Sequence, residues 1–105
     1  MYCSCLFLLA PQVGDPASDL KTQTKQILDK IDQLLAKCGT NKSYILSAMV
    51  WLTDMRFFND MNEVWAAWID KENPPTRACV EAKLAHPTMF VEIQVTAAKP
   101  PANKL

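Results

Sequence analysis

The sequence has no excess of charge, only one histidine and no apolar run of membrane-spanning length. Lysine plus arginine and aspartate plus glutamate each number 11 among 105 residues, so the formal net charge is zero. This balance argues against a protein whose main partner is a nucleic-acid backbone. The one histidine, His86, has no cluster of further ligands around it in the sequence, so no metal site is predicted.

The sequence also lacks a disulfide framework, and its N-terminal apolar run is not a membrane-spanning segment. Cys3 and Cys5 are one residue too close for the usual zinc pair, and Cys38 and Cys79 are widely separated. We therefore expect reduced cysteines in a cytoplasmic protein. The apolar run at residues 5–10 is too short to span a bilayer and has no basic residue before it, so it predicts a strand.

The apolar residues that are present suffice for one core. Half of the sequence is hydrophobic, and 105 residues without internal repeats suit one compact domain. We predict a single domain over residues 1–105, with frayed ends at residues 1–3 and 99–105.

Apolar periodicity predicts the order strand, helix, strand, helix, strand, strand. Helical spacing begins at Leu20 and ends at Gly39, a suitable C-cap residue, and a second helix follows a cap at Asp54. Strands are predicted at residues 4–10, 44–53, 77–84 and 91–97. This order is typical of an α+β domain with a mixed sheet and two helices on one face.

The last two strands carry the most informative pattern. Pro74 and Pro75 mark the start of the first strand, where polar and apolar residues alternate. A short break at residues 86–88 leads to the second strand, so we predict an antiparallel pair. Arg77 and Glu92 lie on the polar sides of these strands, and on a shared face they would form a site.

The sheet face away from the helices is predicted to be mixed in character. It would carry Met49, Trp51, Cys79 and Gln94 together with charged residues. Such a face is too apolar to be fully exposed to water and too charged to be buried in the core of a single subunit. We therefore expect it to be buried against another copy of the protein.

Five short stretches of the sequence together form a recognisable set of motifs. The main ones are residues 77–82 (RACVEA) and 91–98 (VEIQVTAA), supported by residues 23–24, 51–55 and 61–65. Together they resemble the reactive-intermediate deaminase family, also called the Rid or YjgF family. The resemblance runs in order from about Gln12 to Ala98 and is to the less-studied small branches of that family.

The resemblance implies a fold, an assembly and a reaction. It implies a chorismate-mutase-like fold and a homotrimer with sites in clefts between subunits. Family members that carry the arginine hydrolyse imines or enamines such as 2-aminoacrylate, which pyridoxal-phosphate enzymes release, to a 2-keto acid and ammonia. The resemblance further implies no metal and no organic cofactor, and a small carboxylate-bearing imine or keto acid as the ligand.

The N-terminal part departs from the family pattern. Family members usually carry a longer N-terminal segment that brings an aromatic residue, often tyrosine, to the cleft, whereas this chain begins late and Tyr2 does not match that residue. Pro11 precedes Gln12 where family members often have glycine. We expect the N-terminal wall of the site to differ from that of other members.

Arg77 and Glu92 are the candidate catalytic residues. The planar guanidinium of Arg77 suits the carboxylate of a substrate, and the alternative is an ion pair with Glu81 or Glu92. Glu92 would position the water that attacks the imine carbon. Its alternative role is that of a strand-face carboxylate paired with a lysine or arginine.

Arg77, Cys79, Asn62 and Trp65 form the candidate substrate-binding set. The resemblance implies that main-chain groups at Cys79 contact water or substrate, while its thiol has no neighbouring histidine and is not the nucleophile. Asn62 matches a family asparagine near the cleft, or is an exposed polar residue of the second helix. Trp65 walls the cleft or belongs to the core.

The sequence leaves more than one function open. An imine or enamine deaminase is the main prediction, with Arg77 as the anchor for the substrate carboxylate. The alternative is a non-catalytic module that binds a small carboxylate as a signal or stabiliser in the same cleft. An RNA-acting protein is disfavoured by the zero net charge.

Overall fold

The computed structural model describes residues 6–101, in which five strands form one mixed sheet. The strands are β1 (Leu6–Leu8), β2 (Gln12–Val13), β3 (Ile45–Leu52), β4 (Thr76–Glu81) and β5 (Val91–Ala98). They are ordered β1-β5-β3-β4, and β2 also pairs with β5. Strand β4 runs parallel to β3, and the other pairings are antiparallel.

Some sequence predictions lie outside the described residues. They concern Tyr2, Cys3, Cys5, the start of the first strand at residues 4–5, the frayed end at residues 1–3 and the last four residues of the frayed end at 99–105. Residues 99–101 are described and have no regular secondary structure.

Helix α1 (Leu20–Lys37) packs on one face of the sheet and has both of its ends encoded locally. At its start the side chain of Asp19 accepts a hydrogen bond from the backbone N–H of Thr22, at 2.8 Å. At its end Cys38 is followed by Gly39, whose φ is 77°. Glycine adopts this left-handed conformation without strain, so the predicted helix end at Gly39 is confirmed.

Helix α2 (Phe58–Trp68) lies on the same face and begins later than the predicted cap. Asp54 caps a short 3-10 turn at Met55–Phe57 instead, because its carboxylate accepts a hydrogen bond from the N–H of Arg56 at 2.8 Å. The α-helix follows directly from that turn. Within residues 6–101, no helix is both long enough and apolar enough to cross a membrane.

The core lies between the two helices and the central strands, β3 and β5. Alternate residues of these strands point toward the helices, as the two-residue period of a strand requires. The strands contribute Ala48, Val50, Leu52, Val91, Ile93, Val95 and Ala97. The helices contribute Leu20, Ile27, Leu28, Ile31, Leu35, Met61 and Trp65. The predicted α+β architecture, with a mixed sheet and two helices on one face, is confirmed.

The other face of the sheet is uncovered in the single chain. Leu6 and Leu8 of β1 are 50% and 71% exposed, and Val80 of β4 is 39% exposed. Met49 and Trp51 of β3 are half-buried on the same face. We call this surface, formed by the outward side chains of β1, β3, β4 and β5, the open face.

The predicted antiparallel pairing of β4 with β5 is wrong, because β3 lies between them. Arg77 on β4 lies opposite Ala48 of β3, and Glu92 on β5 lies opposite Trp51. The connection from β3 to β4 passes through α2, and such a helical crossover brings the chain back parallel to the strand it left. Residues 82–90 then cross the end of β3 to reach β5.

The placement of Cys79 on the open face is also wrong. Cα pairing sets Cys79 beside Val50, whose side chain is buried against the helices, so the thiol lies on the helix side of β4. The apolar residues Ala78 and Val80 are the exposed ones, whereas Arg77 and Cys79 are half-buried. Helix α2 is the reason, since it packs over the polar side of this strand.

Candidate functional site

Arg77 reaches from β4 onto helix α2. Its Nη1 donates a hydrogen bond to Oδ1 of Asn62 at 2.8 Å. Its Cζ lies 5.2 Å from the ring centroid of Trp65 and 5.6 Å from that of Phe58, which are cation–π distances. Phe58, Asn62 and Trp65 are spaced by four and three residues, so α2 presents all three on one side, toward β4.

No carboxylate neutralises Arg77 within residues 6–101. The ion pairs found there are Lys21–Glu63, Lys25–Asp29 and Arg56–Asp54. Glu81, on the same side of β4 as Arg77, accepts a hydrogen bond from the N–H of Met55 at 2.9 Å. A guanidinium has five N–H donors, and the described side chains bind one of them, so the others can take a carboxylate.

Glu92 lies on the opposite face of the sheet from Arg77. Its neighbours Val91 and Ile93 are fully buried against the helices. Because side chains alternate along a strand, the carboxylate of Glu92 points to the open face, beside Trp51.

The two candidate catalytic residues cannot meet within one subunit. Two strand spacings, about 10 Å, separate β4 from β5. The residues of β3 opposite Arg77 and Glu92 are three positions apart, which adds about 10 Å along the strands. Sheet geometry therefore puts the two Cα atoms about 14 Å apart, with side chains that leave in opposite directions.

Cys79 lies next to the guanidinium but has the properties of a packed thiol. Burial raises the pKa of Cys79 above its ordinary value, and the positive charge of Arg77 offsets part of that rise. The thiolate is the nucleophilic form of cysteine, so a raised pKa makes this side chain a poor nucleophile at neutral pH. In the described part of the chain β4 is an edge strand, so half of its main-chain groups face away from β3.

Trp65 and Asn62 connect the site to the core. Trp65 is 7% exposed and packs against Trp68, with ring centroids 5.5 Å apart, so it belongs to the core as well as contacting Arg77. Asn62 is half-buried, and its amide oxygen is bound to the guanidinium. The alternative of a freely exposed Asn62 is therefore wrong.

Sequence reasoning missed Phe58 as a neighbour of Arg77. The signal was present, because Phe58 precedes Asn62 and Trp65 at helical spacing on α2. It was not decisive, because an aromatic residue at that spacing is also what a buried helix face requires.

Gln23 is a second residue whose role the sequence did not reveal. Its side chain is fully buried, and its Nε2 donates to the carbonyl oxygens of Ser18 at 2.9 Å and Thr88 at 2.7 Å. Its Oε1 accepts a hydrogen bond from the N–H of Phe90 at 2.9 Å. Gln23 thus joins the start of α1 to the connection that leads into β5. The signal was a polar residue on the apolar stripe of a helix.

A groove of about 450 Å³ on the outer side of the two helices contains none of the predicted site residues. Leu28, Val64 and Trp68 contribute to its lining, and the ammonium of Lys42 lies 5.2 Å from the Trp68 ring centroid. This groove is separate from Arg77, which lies on the other side of α2.

Comparison with known proteins assigns the chain to a family. A family model described as "Endoribonuclease L-PSP" matches residues 3–99. A RutC family protein of Haemophilus influenzae is 52% identical over 75 residues, which cover 71% of this chain and 65% of that protein. The RutC family protein YoaB of Escherichia coli is 42% identical over 81 residues, which cover 77% of this chain and 71% of that protein.

Solved structures agree with the sequence relatives. The crystal structure of a YjgF family member from Neisseria meningitidis superposes with a TM-score of 0.90 at 42% identity, over 93% of this chain and 82% of that one. The chain spans just under two thirds of the length of the Haemophilus influenzae relative. The predicted family resemblance is confirmed, and the chain belongs to the Rid/YjgF family.

Proposed function

We propose that the protein hydrolyses reactive imine or enamine intermediates, such as 2-aminoacrylate, to a 2-keto acid and ammonia. The observation that supports this most directly is the guanidinium of Arg77. It is held by Asn62 and is uncompensated by any carboxylate in the described part of the chain. Membership of the Rid/YjgF family supports the same reaction.

In the proposed mechanism Arg77 binds the substrate carboxylate and thereby fixes the position of the neighbouring imine carbon. An enamine first tautomerises to the imine. Water then adds to the imine carbon, the C–N bond breaks, ammonia leaves and the carbon retains the oxygen as a ketone. Glu92 orients the water, and main-chain groups at Cys79 contact the substrate. Imines hydrolyse unaided in water, so positioning is the main contribution asked of the protein.

The proposed site is completed by a second copy of the chain. Arg77 and Glu92 point to opposite faces of one sheet, so one subunit would supply the arginine and its neighbour the glutamate. The apolar side chains of the open face, led by Leu8 and Leu6, support burial against further copies. We propose the homotrimer of the family resemblance, with the site in the cleft between subunits.

The test is the rate of keto-acid release from freshly generated 2-aminoacrylate. We expect Arg77→Ala to lower kcat/KM by about 100-fold, because the substrate loses a charge-assisted hydrogen bond. Arg56→Ala is the matched control, since Arg56 is 89% exposed and pairs with Asp54 outside the site. Equal rates for both variants would remove Arg77 from the mechanism.

A second candidate is a non-catalytic protein that binds a small carboxylate. The distance between Arg77 and Glu92 favours it, because a single subunit holds a guanidinium for an acid but no carboxylate beside it for a water. Calorimetric binding of 2-oxobutanoate with no acceleration of imine hydrolysis would decide for this candidate.

The remaining parts of the proposal concern cofactors, the cellular compartment and RNA. The reaction uses no metal or organic cofactor, as the family resemblance implies. Cys38 and Cys79 are free thiols, which suits the cytoplasm as the proposed compartment. The word endoribonuclease belongs to the description of the family model, and the zero net charge of this chain does not favour an RNA partner.

A further inference from the structure

The acceptor that holds Arg77 is a neutral amide. Oδ1 of Asn62 lies 2.8 Å from Nη1 of the guanidinium, and within residues 6–101 no acidic oxygen lies within 4.0 Å of it. An amide oxygen can accept this hydrogen bond as a carboxylate would, but it adds no negative charge. The positive charge of Arg77 therefore stays available to a ligand.

The surroundings of the guanidinium restrict its orientation further. The rings of Trp65 and Phe58 lie 5.2 Å and 5.6 Å from Cζ of Arg77. Trp65 is 7% exposed and fixed in the core, so it offers a rigid surface to the guanidinium. Aromatic rings attract a cation without neutralising it, and they leave its N–H groups free.

Other carboxylates of the neighbourhood are directed elsewhere. Glu81 accepts from the N–H of Met55 at 2.9 Å. Glu63 of α2 pairs with Lys21 of α1 at 3.3 Å. Glu81 and Glu63 thus both contact groups other than the guanidinium of Arg77.

We infer that Asn62 is a positioning residue that orients Arg77 while leaving its charge uncompensated for the carboxylate of a ligand. Phe58 and Trp65 hold the plane of the guanidinium, and Asn62 fixes its rotation through Nη1. This inference rests on the proposed function only for the nature of the ligand, a small carboxylate. It concerns affinity for that carboxylate and not the hydrolytic step.

The substitution Asn62→Asp separates the effect of charge from the effect of shape. Asn62→Asp keeps the size and the hydrogen-bond acceptor but adds a negative charge beside Arg77. If Asn62 only supports the structure, Asn62→Asp should bind the ligand better than Asn62→Ala. If the absence of charge on the amide matters, Asn62→Asp should bind the ligand less tightly than Asn62→Ala, although its carboxylate holds Arg77 better.

The experiment measures the Kd of 2-oxobutanoate by calorimetry, together with the Tm of each variant without ligand. We expect Asn62→Asp to raise Kd at least about tenfold with an unchanged or raised Tm, because the new carboxylate competes with that of the ligand for the guanidinium. Asn62→Ala is expected to raise Kd by less than Asn62→Asp. Asn59→Asp, the same change at an exposed position of α2, is expected to leave Kd unchanged.

The outcomes separate this inference from the proposed reaction. Wild-type affinity in Asn62→Asp would overturn the inference even if imine hydrolysis is observed. Tighter binding of 2-oxobutanoate by Asn62→Asp than by Asn62→Ala would also overturn it. Failure of the wild-type protein to bind 2-oxobutanoate would overturn it as well. Loss of affinity in Asn62→Asp without any imine hydrolysis by the wild-type protein would uphold the inference and overturn the deaminase.

Discussion

Arg77 and Glu92 lie on opposite faces of one sheet, with β3 between their strands. Any site that uses both must take them from different subunits, since about 14 Å and the thickness of the sheet separate them in one chain. In the proposed mechanism, Arg77 binds the acid and Glu92 orients the water, so these two steps would use separate surfaces of the subunit. They should respond separately to mutation.

Glu92→Gln tests the assignment of water orientation to Glu92. The change keeps the shape of the side chain and removes the charge that, in the proposed mechanism, polarises the water. We expect kcat to fall by about 100-fold or more, with KM nearly unchanged, because Arg77 still binds the substrate carboxylate. Steady-state rates with 2-aminoacrylate give both constants, and Glu72→Gln, at an exposed position, is the control. A rise in KM at constant kcat would instead assign Glu92 to binding.

Val80→Glu tests the assignment of the open face to subunit contacts. Val80 is 39% exposed in the single chain, and a glutamate there would carry a charge into an apolar interface. We expect sedimentation velocity to show single subunits for this variant and trimers for the wild type. Ala66→Glu places the same charge on an exposed position of α2 and should leave the trimer intact. Trimers of Val80→Glu would exclude this face from the interface.

Gln23→Leu tests the buried amide that joins α1 to the chain entering β5. Leucine fills the space but leaves the N–H of Phe90 and the carbonyl oxygens of Ser18 and Thr88 without their partner. We expect the free energy of unfolding to fall by about 1–3 kcal/mol, measured by urea denaturation. Gln33→Leu, the same change at an exposed position of α1, should alter it by less than about 0.5 kcal/mol. A loss of stability in Gln23→Leu as small as that in Gln33→Leu would show that the buried amide adds no stability.

The carboxylate of Asp70 makes the stability of the fold depend on acid. The hydroxyl of Ser43 donates to it at 2.6 Å, and the amide of Asn73 donates at 3.1 Å. These hydrogen bonds, with that of Ser43 the largest cause, lower the pKa of Asp70 to about 2. Because this lies below the unfolded value of about 3.9, the carboxylate stabilises the fold above about pH 4. That contribution is lost as the pH falls through about 2.

Asp70→Asn should therefore be less stable than the wild type at neutral pH. We expect the difference between their urea midpoints to shrink as the pH is lowered from about 5 to about 2. Glu72→Gln is the control, because the side chain of Glu72 forms no hydrogen bond in the described part of the chain. This variant should lose stability in acid as the wild type does. A difference that stays constant with pH would show that Asp70 acts without its charge.

The sequence predicts the elements of this fold better than their neighbours. The helical stripe from Leu20 and the glycine at position 39 fix α1, because both act within a few residues of chain. Alternation along β4 and β5 likewise shows which residues share a side of each strand. Periodicity carries no information on which strand lies alongside, so the insertion of β3 between them was not predictable from it.

The sequence names candidate site residues but does not give their arrangement. Arg77 was found through the resemblance to the family, and its contact with Asn62 follows from α2 crossing over β4. Which side of β4 is covered depends on where α2 packs, and the exposed Val80 shows that apolar character alone gives the wrong side. The face toward which Glu92 points depends in the same way on the register of β5 with β3.

Complementation between two inactive variants tests the shared site most directly. Arg77→Ala and Glu92→Gln subunits are unfolded together, refolded as a mixture and assayed with 2-aminoacrylate. If each site combines Arg77 of one subunit with Glu92 of the next, an equal mixture of trimers regains about a quarter of the wild-type activity, because about one site in four receives both intact residues. If the mixture is no more active than the separate variants, while refolded wild-type protein regains its activity, the two residues do not act across a subunit boundary and the account is contradicted.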